Sequence, residues 1–162
     1  MKSIIVAYDR NHAIGYQNKL PWAGMLPADV EHFRQMTTGK AVIMGRNTFD
    51  SLGAPLSNRL NIVLSHTKIA LEDVVTVTSM EEAYSAAKRY ENCFVIGGAQ
   101  IFQLALQTVD TIYATEVDVA MERADEYFPS VDLSVWKTVN RQSFPADDEN
   151  MFAYTYVTYE RY

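Results

Sequence analysis

Short continuous apolar runs recur along the chain with helical segments between them, and no other feature limits the fold as much. Ser3-Ile4-Ile5-Val6-Ala7-Tyr8, Ala41-Val42-Ile43-Met44, Leu60-Asn61-Ile62-Val63-Leu64 and Cys93-Phe94-Val95-Ile96 each read as a buried strand. Val74–Val77 and Thr111–Val117 add two more. Helices are predicted over 28–38, with Val30, Phe33 and Thr37 at helical spacing, and over 47–52, 80–90 and 99–106. Ser79 caps the third of these, with Glu82 three positions on as in a capping box. The C-terminus changes character: Phe152, Tyr154, Tyr156 and Thr158 alternate with Ala153, Thr155, Val157 and Tyr159, which is strand periodicity. No helix separates that strand from one spanning Val135, Trp136 and Val139, so the two should pair antiparallel. The predicted fold class is α/β: one domain over residues 1–162, with a central, mostly parallel eight-stranded sheet, an antiparallel C-terminal strand and about four flanking helices.

Composition narrows the function classes. At 48% apolar residues, a chain of 162 residues has enough material for one full core. No stretch approaches the roughly 20 apolar residues of a membrane span, and the polar start Met1-Lys2-Ser3 has no signal-peptide h-region. Cys93 is the only cysteine, so no internal disulfide forms and the expected compartment is the reducing cytoplasm. A formal charge of −6 argues against nucleic-acid binding and means that an anionic ligand needs a local basic site. The apolar positions leave no obvious exposed patch, so a monomer is expected, and no metal site is foreseen.

Asp29 opens the first predicted helix, behind the loop Pro21-Trp22-Ala23-Gly24-Met25-Leu26-Pro27-Ala28. An acid at a helix start is ordinary, because the helix N-terminus favours negative charge. Here a Trp, two prolines and several apolar residues precede it and would screen it from water, where a carboxylate needs a partner. Arg34, five positions on, does not share its helix face, which leaves a ligand as the candidate partner.

Open α/β sheets bind ligands at the carboxyl ends of their strands, and three such ends carry suggestive residues. In Gly45-Arg46-Asn47-Thr48-Phe49, helix-opening N–H groups and a bidentate guanidinium suit a phosphate, although a plain strand–turn–helix would read the same way. In Ile96-Gly97-Gly98-Ala99-Gln100-Ile101-Phe102, two glycines allow close approach of a pyrophosphate, and a tight turn accounts for them equally well. Leu64-Ser65-His66-Thr67 is polar and partly basic, and no acid ends that strand to engage a free 2′-hydroxyl, which leans toward NADP over NAD.

The chain resembles dihydrofolate reductase of the chromosomal bacterial type. The resemblance is carried by Ala13-Ile14-Gly15, Asn18-Lys19-Leu20-Pro21-Trp22, Leu26-Pro27-Ala28-Asp29, Phe33, Met44-Gly45-Arg46-Asn47-Thr48-Phe49, Ser51-Leu52-Gly53, Pro55-Leu56, Arg59 through Ser65, Ile96 through Phe102, Thr115 and Asp125 through Pro129. These run in the family's order over almost the whole chain. The resemblance implies NADPH-dependent reduction of 7,8-dihydrofolate, with Asp29 as the active-site acid, Thr115 orienting it, and Trp22 and Leu20 beside the reacting rings. It implies a substrate site of Ile5, Ala7, Phe33, Leu52, Leu56 and Ile96, with Arg59 pairing the glutamate α-carboxylate. For the cofactor it implies Arg46, Ser65 and His66 at the 2′-phosphate, and Asn47, Thr48 and Gly97 through Phe102 at the pyrophosphate. Ala7, Gly45, Leu64 and Ile96 complete that site. Residues 10–26 resemble a loop that closes over the nicotinamide, with Ile14, Gly15, Asn18, Leu20 and Trp22 facing it, and Gly97-Gly98 is expected to be a cis peptide.

Ala23-Gly24-Met25 lengthens the stretch between Trp22 and Pro27, and Ala124 and Glu126 replace the family's usual residues in a loop expected to pack on the lid. Two other readings share the fold or the cofactor: the pyrimidine-reducing domain of riboflavin synthesis, and a non-catalytic nucleotide- or folate-binding module.

Overall fold

The computed structural model describes residues 1–162. Each continuous apolar run forms a strand because both of its faces are covered. β1 (Lys2–Tyr8), β3 (Ala41–Gly45), β4 (Leu60–Leu64), β5 (Val74–Val77), β6 (Cys93–Gly97) and β7 (Thr111–Val117) lie parallel, in the order β5-β4-β3-β6-β1-β7. β10 (Tyr154–Arg161) adds to β7 antiparallel, and β9 (Trp136–Phe144) pairs antiparallel with β10. One strand of the eight, β10, therefore runs against the rest.

Ile4, Ala41, Ile43, Ile62, Val95 and Ile112 are fully buried at the centre of the sheet. Removing one of these isoleucine or valine side chains from water contributes roughly 1.5–3 kcal/mol. The helices α1 (Pro27–Thr37), α2 (Arg46–Leu52), α3 (Met80–Ala86) and α4 (Ala99–Ala105) cover the sheet. Ser79 caps α3 by accepting from Glu82 N, while Glu82 reaches back to Thr78 N at 3.0 Å. That is the capping box predicted, although α3 ends at Ala86 and not near 90.

Two features bear on function. Val30, at helical spacing with Phe33 and Thr37, is 63% exposed and stands in a cleft. A second, two-stranded sheet of β2 (Ala13–Gly15) and β8 (Glu126–Tyr127) was not predicted. It straps the 10–26 loop to the segment before Phe128. Asp125 N donates to Gly15 O at 2.9 Å and Phe128 N to His12 O at 2.7 Å. The buried Asp9 reinforces the strap, its carboxylate accepting from Asn11 N, Ala13 N and Met121 N at 2.8–2.9 Å.

Candidate active site

The strand order turns on β1, β6 and β3: the chain leaves β1 for β3, moves outward to β5, then returns through β6 to the gap beside β1. At the carboxyl ends of these strands opens a cleft of about 1020 Å³. Ala7 of β1, Gly45 of β3, Leu64 of β4, Gly97 of β6 and Thr115 of β7 all face it, as expected for an open parallel sheet.

Asp29 lies in the first turn of α1 and lines the cleft. Thr115 Oγ1 donates to Asp29 Oδ1 at 2.7 Å, so the acid's protein partner is a strand hydroxyl; Oδ2 takes no hydrogen bond from the protein. Burial pushes the Asp29 carboxyl above the ordinary carboxylate range, against the smaller opposing pulls of the Thr115 hydroxyl and the His32 imidazole. His32 went unread in the sequence, although a position three residues beyond Asp29 shares its helix face. It lines the cleft and stacks on Tyr156 with ring centroids 3.9 Å apart, and Tyr156 is in register with Thr115 across β7 and β10. Burial lowers the His32 proton affinity, and Asp29 raises it. Asp29 is therefore not the only ionisable group in this part of the cleft.

Ile5, Ala7, Phe33, Leu52 and Ile96 line the cleft with Asp29 and Thr115. Leu20, Val30 and Leu52 remain 39%, 63% and 41% exposed on its wall, so the chain leaves apolar surface where a ligand would cover it. Three other expected residues lie off the cleft wall. Trp22 is 1% exposed and packs with Leu26, Val117 and Tyr154, behind the lining and not facing it. Leu56 packs against the cluster of Val42, Met44 and Phe49. Arg59 sits by the end of α1, where its Nε donates to Ser57 O at 2.9 Å and its Nη1 to Thr37 Oγ1 at 3.0 Å. Its turn is set by the buried Asn61, which bonds Leu56 and Arg59 backbone atoms. Arg59 pairs with no carboxylate, and burial followed by the nearby Arg34 depresses its proton affinity. It is a cation with its charge free.

The structure brings all the expected cofactor residues onto this one cleft: Ile14, Gly15, Asn18 and Leu20 from the loop; Gly45, Arg46, Asn47 and Thr48; Leu64, Ser65 and His66; and Ile96 through Phe102. Arg46 Nη1 lies 3.3 Å from Ser65 Oγ, and its Nε donates to Asp50 Oδ1 at 2.9 Å. The Gly97-Gly98 peptide is cis, and Gly97 has φ +135°, a backbone conformation suited to glycine. At Gly45 a Cβ would come within 2.9 Å of Ile101 Cγ1, so glycine there lets α4 close on β3. Lys19, Asp50, Thr78 and Glu126 also line the cleft, and no site role was expected of them.

An open parallel sheet, a cleft at its switch point with glycine and arginine turns, and one half-buried acid define an α/β protein with a ligand cleft that carries a carboxylate. The family model for dihydrofolate reductase matches residues 1–161. The dihydrofolate reductase of Bacillus subtilis (strain 168) is 38% identical over 162 residues, covering 99% of this chain and 95% of that protein. That of Haemophilus influenzae is 39% identical over 150 residues, covering 93% and 92%. Among solved structures, dihydrofolate reductase from Enterococcus faecalis, complexed with NADP(H) and RAB-propyl, superposes with a TM-score of 0.89 at 35% identity, over 99% of this chain and 96% of that one. The chain belongs to the dihydrofolate reductase family.

Proposed function

We propose that the cleft reduces 7,8-dihydrofolate to 5,6,7,8-tetrahydrofolate with NADPH, a reaction that supports one-carbon and thymidylate metabolism. One observation carries this reading: Asp29 holds a half-buried carboxylate on the wall of a large cleft, fixed on one oxygen by Thr115 at 2.7 Å and open on the other. A pterin presents its 2-amino group and ring N3 as a matched donor pair for such a carboxylate. The same cleft suits NADPH. Arg46 and Ser65, 3.3 Å apart, with His66, offer donors for a 2′-phosphate, and Asn47, Thr48 and Gly97 through Phe102 suit a pyrophosphate. The complex of the Enterococcus relative with NADP(H) supports that assignment.

When bound, NADPH supplies the hydride that reduces the N5=C6 bond at C6. The residues of the chain do the rest. Asp29 anchors the pterin and, through its charge, favours the proton that N5 takes up from water; Thr115 fixes the carboxylate's orientation. Ile5, Ala7 and Ile96 flank the pterin, with Phe33, Leu52 and Leu56 toward the aminobenzoyl ring. Arg59, with its charge free, pairs the glutamate α-carboxylate. Ile14, Gly15, Asn18 and Leu20 cover the reacting rings and exclude water, while Trp22 supports them from behind. We place the activity in a single domain of residues 1–162, monomeric and cytoplasmic. Cys93 is buried, and no helix is long and apolar enough to cross a membrane.

The test is loss of NADPH absorbance on adding 7,8-dihydrofolate, with Asp29→Asn run alongside. Turnover by the wild type and a loss of roughly 10²–10⁴ in the variant are expected if the Asp29 charge assists protonation. A loss below about tenfold would remove Asp29 as the acid. NADPH binding without turnover would favour the pyrimidine reductase or the binding module.

A further inference from the structure

The N-terminus of α1 has an unusual cap. Its N-cap residue, Leu26, has no side chain that can accept a hydrogen bond, and Pro27 at the first helical position has no N–H to give. The Asp29 and Val30 amides turn back to Leu26 O at 3.1 and 3.4 Å. Ala28 N–H is the remaining donor of the first turn, and it is taken by Asn150 Oδ1 at 3.0 Å, from a residue 122 positions away.

Asn150 is built for this contact. It is 5% exposed, in the loop between β9 and β10. Its Nδ2 donates to Asp147 at 3.0 and 3.2 Å, and its own N–H to Asp147 Oδ1 at 2.7 Å. Nitrogen toward a carboxylate and oxygen toward an amide is the one orientation that satisfies both ends of the side chain. Next to it, Met151 N donates to Met25 O at 2.9 Å, so the loop holds the chain on both sides of Pro27.

We propose that Asn150 is a positioning residue for Asp29: its amide oxygen occupies the donor end of α1, so the helix start does not compete with the substrate for the carboxylate. This rests on the reading of Asp29 as the acid of the reaction. A first turn with an uncapped N–H draws negative charge, and Asp29 is the acid within that turn. With Asn150 in place the N–H is already satisfied by a neutral acceptor. Asp29 then has Thr115 on Oδ1 and keeps Oδ2 for the pterin. The other titratable groups acting on Asp29 are His32 on its own helix and Tyr154 and Tyr156 on β10, while Asp147 faces Asn150 from the same loop.

Two variants separate positioning from general support. Asn150→Ala frees the Ala28 N–H, which favours the ionised form of Asp29, so its titration should move to lower pH. Asn150→Asp made together with Asp147→Asn keeps a donor–acceptor pair within the loop and places the carboxylate on the Ala28 N–H, so the titration should move to higher pH. The readout is the Asp29 carboxyl carbon, followed by NMR across pH in the ligand-free chain. In turnover, the high-pH loss of activity should follow the same two directions, with dihydrofolate KM raised at least tenfold in Asn150→Ala and less in the paired Asp147→Asn, Asn150→Asp variant. A wild-type Asp29 titration in either folded variant would overturn the proposal, and so would shifts in the same direction in both. If the wild-type chain turns over no dihydrofolate, the proposed function fails, while the NMR titration still decides the role of Asn150.

Discussion

Asp29 and Thr115 show how one hydrogen bond sets the working range of an acid. Burial disfavours the Asp29 carboxylate, and the Thr115 hydroxyl, at 2.7 Å, restores part of what the anion loses. Thr115→Val keeps the shape and removes the donor, so the proton affinity of Asp29 should rise further. Because the reaction needs the complex protonated, the high-pH fall in hydride-transfer rate should move to higher pH, with poorer dihydrofolate binding. A pH–rate profile from single-turnover mixing checks this; an unmoved profile would mean that Thr115 only packs. The acid and the glycine and arginine turns were legible because each is a local chemical pattern: a carboxylate behind an apolar loop, and breakers at strand ends. His32 and Asn150 were not. A histidine in mid-helix announces nothing until its face is known, and Asn150 meets α1 only through a contact spanning 122 positions. Trp22 shows the opposite case: its place in a motif suggested contact with ligand, and the structure packs its indole with Leu26 and Tyr154, 1% exposed.

At the scale of elements, the 10–26 loop is held less by its own residues than by the segment around 118–128. Asp9 joins the two, accepting from Ala13 N at 2.9 Å and Met121 N at 2.8 Å. Asp9→Ala leaves the Ala13 and Met121 donors without a partner, a loss of roughly 2–6 kcal/mol at about 1–3 kcal/mol for each buried unsatisfied group. At about 2–4 °C per kcal/mol for a chain of this size, the midpoint of thermal unfolding should fall by roughly 4–24 °C. NADPH should also bind more weakly, since Ile14, Gly15, Asn18 and Leu20 belong to that loop. Thermal denaturation with and without cofactor measures both; a fall under about 2 °C would mean that the β2–β8 pairing suffices. That pairing was the element hidden from the sequence. Strands of three and two residues are too short to show a period, whereas β1, β3, β4 and β6 declare themselves as apolar runs because helices cover both faces of the sheet. Val30 is a related case: apolar spacing marks a face that avoids water, and on α1 that face is shared between core and cleft.

For the molecule as a whole, the sheet order makes one cleft out of five strand ends, so a dinucleotide along it would tie together segments far apart in sequence. Arg46 and Thr48 follow β3, Ser65 and His66 follow β4, and Gly98 through Phe102 follow β6. A ligand that binds only this assembled surface stabilises the whole fold, by about 2.7 kcal/mol when present at about 100 times its dissociation constant. For a chain of this length that corresponds to a rise of roughly 5–10 °C in the unfolding midpoint. The chain carries a net charge of −6, so the rise should depend on the few cations facing the cleft, Arg46 foremost. Arg46→Ala is expected to leave the midpoint of the free protein nearly unchanged, because its ion pair with Asp50 is half-exposed and of little worth to stability. The same concentration of NADPH should then raise the midpoint by less than half as much, while the smaller rise with NADH, which lacks the 2′-phosphate, should stay the same in both proteins. Equal NADPH shifts in wild type and variant would place the phosphate elsewhere on the cleft, and an equal loss with both cofactors would show Arg46 holding the pyrophosphate in place of the 2′-phosphate.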